Sequence, residues 1–146
     1  MEPRLDFYAA SPQALKGLLL LEEVSFGLSV EKPLLELVRL RVSQLNHCSF
    51  YADLHSQEAR SQGETERRLH GILAWRDSPL FSPRERAALA WSEALTLLAN
   101  HPISDELYAH VRLQFSECEL VDLSVAIASI NCWNRLAVAF RQQLSV

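Results

Sequence analysis

LLELVRLRVSQLNHCSFYADLHSQEAR, residues 34–60, is the stretch whose reading decides the fold. Leu34, Leu35, Val38, Leu40 and Val42 supply the apolar side of a helix that the pattern places over about Glu31 to Asn46. Asn46 and His47 read as a break. A second helix then starts near Cys48 and stops at Gly63. On it, Cys48, Tyr51 and His55 follow one another at i, i+3 and i+7, so their side chains stack along about two turns of one face.

The same periodicity extends in both directions. Ser11 before Pro12 reads as a helix cap followed by proline at the first helical position, and the run Ala14 to Phe26 ends at Gly27. Glu64 to Trp75 forms a further helix, closed by Asp77-Ser78-Pro79. Ser82-Pro83-Arg84-Glu85 is a capping box that launches a helix to about Asn100. Ser104 caps the next, and Ser116-x-x-Glu119 is a second capping box opening a last helix to about Gln143. No strand-like alternation survives for more than a few residues. The expectation is an all-α, single-domain helical bundle of about six to seven helices, spanning residues 1–146.

Composition narrows the function classes. The chain has 146 residues, 49% of them hydrophobic and 22% charged, with a formal net charge of −4. Length and composition suit a soluble domain with its own core. No broad basic field is present, which argues against nucleic acid or anionic lipid as partner. The first residues, MEPRLDFYAASPQ, lack the basic-then-apolar order of a signal peptide. Leu120 to Phe140 imitates a membrane span, but Asp122, Ser124, Ser129, Asn131, Asn134 and Arg135 interrupt it, so a buried helix is expected. Because that helix is apolar nearly all round, part of it is expected to pack against other subunits in a homo-oligomer. Three cysteines, Cys48, Cys118 and Cys132, are too few and odd for a disulfide framework, and a reducing cytoplasm is the expected compartment.

Three segments resemble one known family. They are residues 34–60, then AWRDSPLFSPRERAALAWSEALT (74–96), then ELVDLSVAIASINCWNRLAVAF (119–140). Together they are similar to the alkyl hydroperoxidase D-like branch of the carboxymuconolactone decarboxylase family, over a core of about residues 15–142. The resemblance implies an all-helical homo-oligomer, a trimer or hexamer; separately, no cofactor or metal is expected. It also implies peroxide reduction by a Cys-x-x-Cys pair with a glutamate–histidine proton relay. By position the glutamate is Glu36, the first cysteine Cys48 and the histidine His55. The second cysteine, usually assigned the attack on peroxide, falls on Tyr51.

The candidate catalytic set is therefore Cys48, His55, Glu36 and Tyr51, with Cys48 as a single reacting sulfur, a hydroperoxide or other small molecule as substrate and an external thiol to resolve the product. Cys48 sits where the start of a helix would favour thiolate, and otherwise reads as a small buried apolar residue. Glu36 is either a partner for Arg39 or a buried carboxylate of raised pKa hydrogen-bonded to His55. The Tyr51 hydroxyl, with an ordinary pKa of ~10, is no thiol nucleophile. Two other readings remain open: a non-catalytic oligomeric or small-molecule-binding homologue, and a decarboxylase-like lyase using Glu36 and His55 without a thiol. His47, Cys48, His55 and Glu36 are a weak metal set, because adjacent His47 and Cys48 point about 100° apart on a helix. Cys132 and the tryptophans Trp75, Trp91 and Trp133 read as packing, and Asn134 with Arg135 as polar groups satisfied inside the helix assembly.

Overall fold

The computed structural model describes residues 2–144, and among these there is no strand. The helices are α1 (Phe7–Ala10), α2 (Pro12–Ser25), α3 (Lys32–Leu45), α4 (Ser49–Ser61), α5 (Glu66–Gly71), a 3-10 helix (Ile72–Asp77), α6 (Pro83–Thr96), α7 (Asp105–Arg112) and α8 (Glu117–Phe140). The expected elements are present, but α6 stops at Thr96 rather than about Asn100, α8 stops at Phe140 rather than about Gln143, and three further differences appear. The one-turn α1 is additional: Asp6 caps it by accepting from the Tyr8 and Ala9 N–H groups. Ser11 makes no capping hydrogen bond to α2, although Pro12 does occupy its first turn. The expected helix from Glu64 to Trp75 breaks after Gly71 into a 3-10 turn, with Ala74 at φ −123°, ψ 38°. The count is therefore eight α-helices and one 3-10 helix rather than six to seven.

Both predicted capping boxes form. Ser82 accepts from the Glu85 N–H while Glu85 accepts from the Ser82 N–H, and Ser116 and Glu119 do the same at α8. These are local contacts within four residues, which is why sequence alone finds them.

Helix α3 stands between two cores. Leu34, Leu35, Val38 and Val42 face one, shared with Ala88, Trp91, Leu123, Ile127 and Ile130. Leu37 and Leu40 face the other, shared with Leu69, Ile72, Trp75, Phe81 and Leu89. A helix apolar on two sides is covered on two sides, and its polar residues between the stripes are drawn inside. That is how Glu36 and Arg39, only 4% and 5% exposed, come to be buried. Helix α8 is 24 residues long and apolar enough by length and composition to cross a membrane; here it packs against α2, α3 and α6.

The break between α3 and α4 is built by hydrogen bonds. His47 takes the left-handed conformation at φ 53°. The Cys48 N–H reaches back to the Ser43 carbonyl at 2.9 Å and the His47 N–H to that of Gln44 at 3.1 Å, satisfying the end of α3. Asn46 donates to the side-chain oxygens of Asn131 and Asn134 at 2.9 and 3.0 Å, and Asn134 donates to Ser43 Oγ at 3.1 Å. The predicted role of Asn134, satisfying polar groups inside the assembly, is realised at a residue with no exposure, whereas Arg135, given the same role, is exposed and donates to Asn131. The network fixes α8 to the turn that carries Cys48.

Asn134→Ala removes a buried partner from Ser43 and Asn46 together, and unpaired buried groups cost ~1–3 kcal/mol. Urea unfolding of this variant should show a loss of about 2 kcal/mol. Asn134→Ala matching the wild-type midpoint would show that the network carries no weight.

Candidate functional site

Glu36 and Arg39 leave α3 one turn apart, and His55 approaches from α4. Arg39 Nη1 donates to Glu36 Oε1 at 2.8 Å, and His55 Nδ1 lies 2.7 Å from Glu36 Oε2. The pairing with Arg39 and the hydrogen bond to His55 are thus both present. Arg39 is held in turn by Ser25 Oγ at 3.3 Å and lies over the Phe26 ring at 5.0 Å. Burial acts to raise the Glu36 pKa, but the His55 and Arg39 contacts together outweigh it and hold the carboxyl below its ordinary range. This corrects the expectation of a raised value. An ionised Glu36 assigns the Nδ1 proton of His55 as the donated one. Nε2, the basic lone pair of that tautomer, has no hydrogen bond to any described residue.

Glu22, on α2, is a second carboxyl beside this pair. Burial pushes its pKa up, with Arg39 and His55 pulling the other way. Glu22, Glu36, Arg39, His55, Leu35 and Phe26 form walls of one cavity of about 330 Å³. Glu22 is a wall residue that the sequence reading did not name, whereas Arg39 was named as a partner for Glu36. The stripe Leu15, Leu18, Glu22, Ser25, at helical spacing on the covered side of α2, is the signal that points Glu22 inward.

Tyr51 is 5% exposed, and its ring stacks on the His55 imidazole at 5.9 Å between centroids and 21° between planes. Trp133 lies 6.4 Å away on another side. Burial raises the Tyr51 pKa, reinforced by the neighbouring Tyr8 hydroxyl, the Glu22 carboxylate and the Cys48 sulfur, so Tyr51 is a neutral phenol.

Cys48 is the N-cap of α4, in extended conformation, and is 2% exposed. Burial pushes its thiol pKa up, and the nearby Tyr51 and Phe50 N–H groups and the Asn134 amide recover only part of that. The expected tilt toward thiolate is therefore reversed, because desolvation exceeds the helix-start effect. The four candidates share one helix face and its neighbour, but they do not share one hollow. His55 and Glu36 border the cavity of about 330 Å³, whereas Cys48 borders another of about 660 Å³ with His47, Arg4 and Arg141. Tyr51 stands between them. All three cysteines are free: Cys118 is exposed and Cys132 half-buried. Among the described residues no group of three or more His, Cys, Asp or Glu is arranged to hold a metal ion.

Two measurements check these electrostatics. A depressed folded pKa means that the Glu36 contribution to stability is present above its ordinary value of 4.5 and is lost as pH falls through the folded value. Glu36→Gln should cost about 3 kcal/mol at pH 7, and its gap from wild type should narrow as pH drops below ordinary carboxylate values. A gap constant from pH 7 to pH 3 would contradict the assignment. For Cys48, alkylation by iodoacetamide at pH 7 should run about tenfold or more slower than for a free cysteine and still be rising above pH 9.

Comparison with known proteins agrees with this architecture. Residues 12–94 match the carboxymuconolactone decarboxylase family. The uncharacterized protein YdfG of Bacillus subtilis (strain 168) is 39% identical over 139 residues, 95% of each chain. A protein of unknown function from Agrobacterium tumefaciens, proposed to be the antioxidant defence protein AhpD, superposes with a TM-score of 0.96 at 37% identity over 99% of both chains. A peroxidase-related protein from Silicibacter sp. TM1040 shares the fold at 19% identity, with a TM-score of 0.82 over 95% of this chain and 74% of its own. This chain belongs to the carboxymuconolactone decarboxylase family, and within it to the AhpD-like members.

Proposed function

We propose that this chain is a one-cysteine thiol redox protein of peroxide defence, working in a reducing cytoplasm. Cys48 is the reacting sulfur, and Glu36 with His55, on the other side of the Tyr51 ring, manages the proton through that phenol or through solvent. The observation that carries the reading is the 2.7 Å contact between His55 Nδ1 and Glu36 Oε2, which leaves Nε2 as a base beside Tyr51. A buried carboxylate that orients an imidazole is the arrangement proton transfer requires. In the reaction, the Cys48 thiolate attacks a hydroperoxide oxygen. The S–O bond forms, the O–O bond breaks, and the proton taken from the thiol ends on the departing alkoxide. An external thiol condenses with the sulfenic acid to give a mixed disulfide and water. A second thiol then releases Cys48 and leaves as part of a disulfide. With a raised thiol pKa and Tyr51 in place of a second sulfur, turnover is slow and increases with pH.

Mild treatment with tert-butyl hydroperoxide should give a dimedone-trappable sulfenic acid at Cys48, with formation slowed in His55→Ala. Tyr51→Cys should raise peroxide consumption with dithiothreitol roughly tenfold or more. Intact mass showing Cys118 oxidised while Cys48 stays unmodified would sink the reading.

A second reading, a lyase acting through Glu36 and His55 without a thiol, is favoured by one observation: Cys48 opens onto a different cavity. It requires an activity that His55→Ala abolishes and Cys48→Ser leaves intact.

Self-association is part of the proposal. Leu20 and Val24 on α2 and Val121 on α8 are each more than half exposed, which suits burial against further copies of the chain in a trimer or hexamer. Light scattering after size exclusion should give a mass that is a multiple of 16.6 kDa, and a monomer at micromolar concentration would refute it.

A further inference from the structure

The cavity that Cys48 borders is larger than the one at His55, and its charged residues are of one sign where those at His55 are mixed. The chain carries a net charge of −4, and the His55 cavity is lined by Glu22, Glu36 and Glu58 against Lys32 and Arg39. Among the described residues the Cys48 cavity has no acidic residue in its lining, and it includes Arg4 and Arg141. Arg4 is held there: its backbone N–H donates to the Phe140 carbonyl at 3.0 Å and its Nη1 to that of Ala139 at 2.9 Å. Arg141 enters through the left-handed residue that ends α8, at φ 55°. Gln142, also in the lining, has a side-chain oxygen that is buried and accepts no hydrogen bond from any described residue. Behind Cys48, α4 begins without a side-chain cap, so its first-turn N–H groups add to the positive field.

We propose that this cavity docks an anionic, peptide-like thiol or its disulfide for exchange with Cys48, with ligand carboxylates toward Arg4 and Arg141. The proposal rests on the reading that Cys48 is the reacting sulfur, and it names the class of thiol that serves it. A volume of about 660 Å³ accommodates a ligand of small-peptide size. In the exchange the Cys48 thiolate attacks one sulfur of the disulfide. A new S–S bond forms, the old one breaks, and the departing thiolate takes up a proton from water. The reverse step, attack by the anionic thiol on an oxidised Cys48, returns the reduced protein. Guanidinium groups recognise carboxylates by paired, charge-assisted hydrogen bonds, so the cavity selects by charge.

The test uses the full chain with Cys118→Ser and Cys132→Ser, leaving Cys48 as its single thiol. At pH 8.5 it is incubated separately with glutathione disulfide (anionic), bis(2-hydroxyethyl) disulfide (neutral) and cystamine (cationic), and adduct formation is followed by intact mass. The expected order is anionic, then neutral, then cationic, with the first at least about tenfold faster than the last and the difference shrinking with added salt. Arg4→Ser with Arg141→Ser should abolish the order, while Arg4→Lys with Arg141→Lys should keep most of it. Equal rates, a fastest cationic disulfide, an order unchanged in the serine variant, or no adduct from any of the three each overturns the proposal. Charge-ordered exchange at a Cys48 that hydroperoxide leaves untouched upholds the docking site and removes the peroxide step instead.

Discussion

A single buried carboxylate sets the terms for this bundle. Placing Glu36 inside the protein costs several kcal/mol in lost hydration, a cost offset only where opposite charge and hydrogen bonds meet it with good geometry. Arg39 and His55 do so from two directions, and each has conditions of its own. Arg39 needs Ser25 and Phe26 at the end of α2; His55 needs α4 to run back along α3 in one register. The register is fixed by the left-handed His47 and by the asparagine network that ties the turn to α8. The acid therefore reports on the positions of four helices at once.

How far the sequence was legible follows from the range of each interaction. Helix starts written in adjacent residues, at Ser82, Ser104 and Ser116, form as read. Ser11 does not cap α2, because it also ends α1, a helix too short to show any periodicity. The meeting of Glu36 with His55 was legible through family resemblance alone, since no local pattern places α3 and α4 in register. The direction of the Glu36 shift was not legible: burial and pairing oppose each other, and only the arrangement in space shows that Arg39 and His55 act together against desolvation. For Cys48 the same competition ends the other way, because its helping groups are neutral dipoles rather than a full charge.

Tyr51 alters more than the count of sulfurs. A phenol of this size fills the space between imidazole and thiol, stacks on the first and crowds the second, and so divides what one helix face would otherwise join. The result is two chambers of contrasting character, one rich in carboxylates and one lined by arginines. Acid–base groups and sulfur each keep an approach of their own, with an aromatic partition in between.

The hydrogen bond from the Arg4 N–H to the Phe140 carbonyl brings the first residues of the described chain against its last helix. Arg4 and residues 141–144 of the described chain therefore meet at the rim of the arginine-lined chamber. An affinity tag or reporter fused at either end would crowd that rim while leaving the carboxylate-rich chamber clear. Fusions at loop positions far from both ends are the safer choice for anyone labelling this molecule.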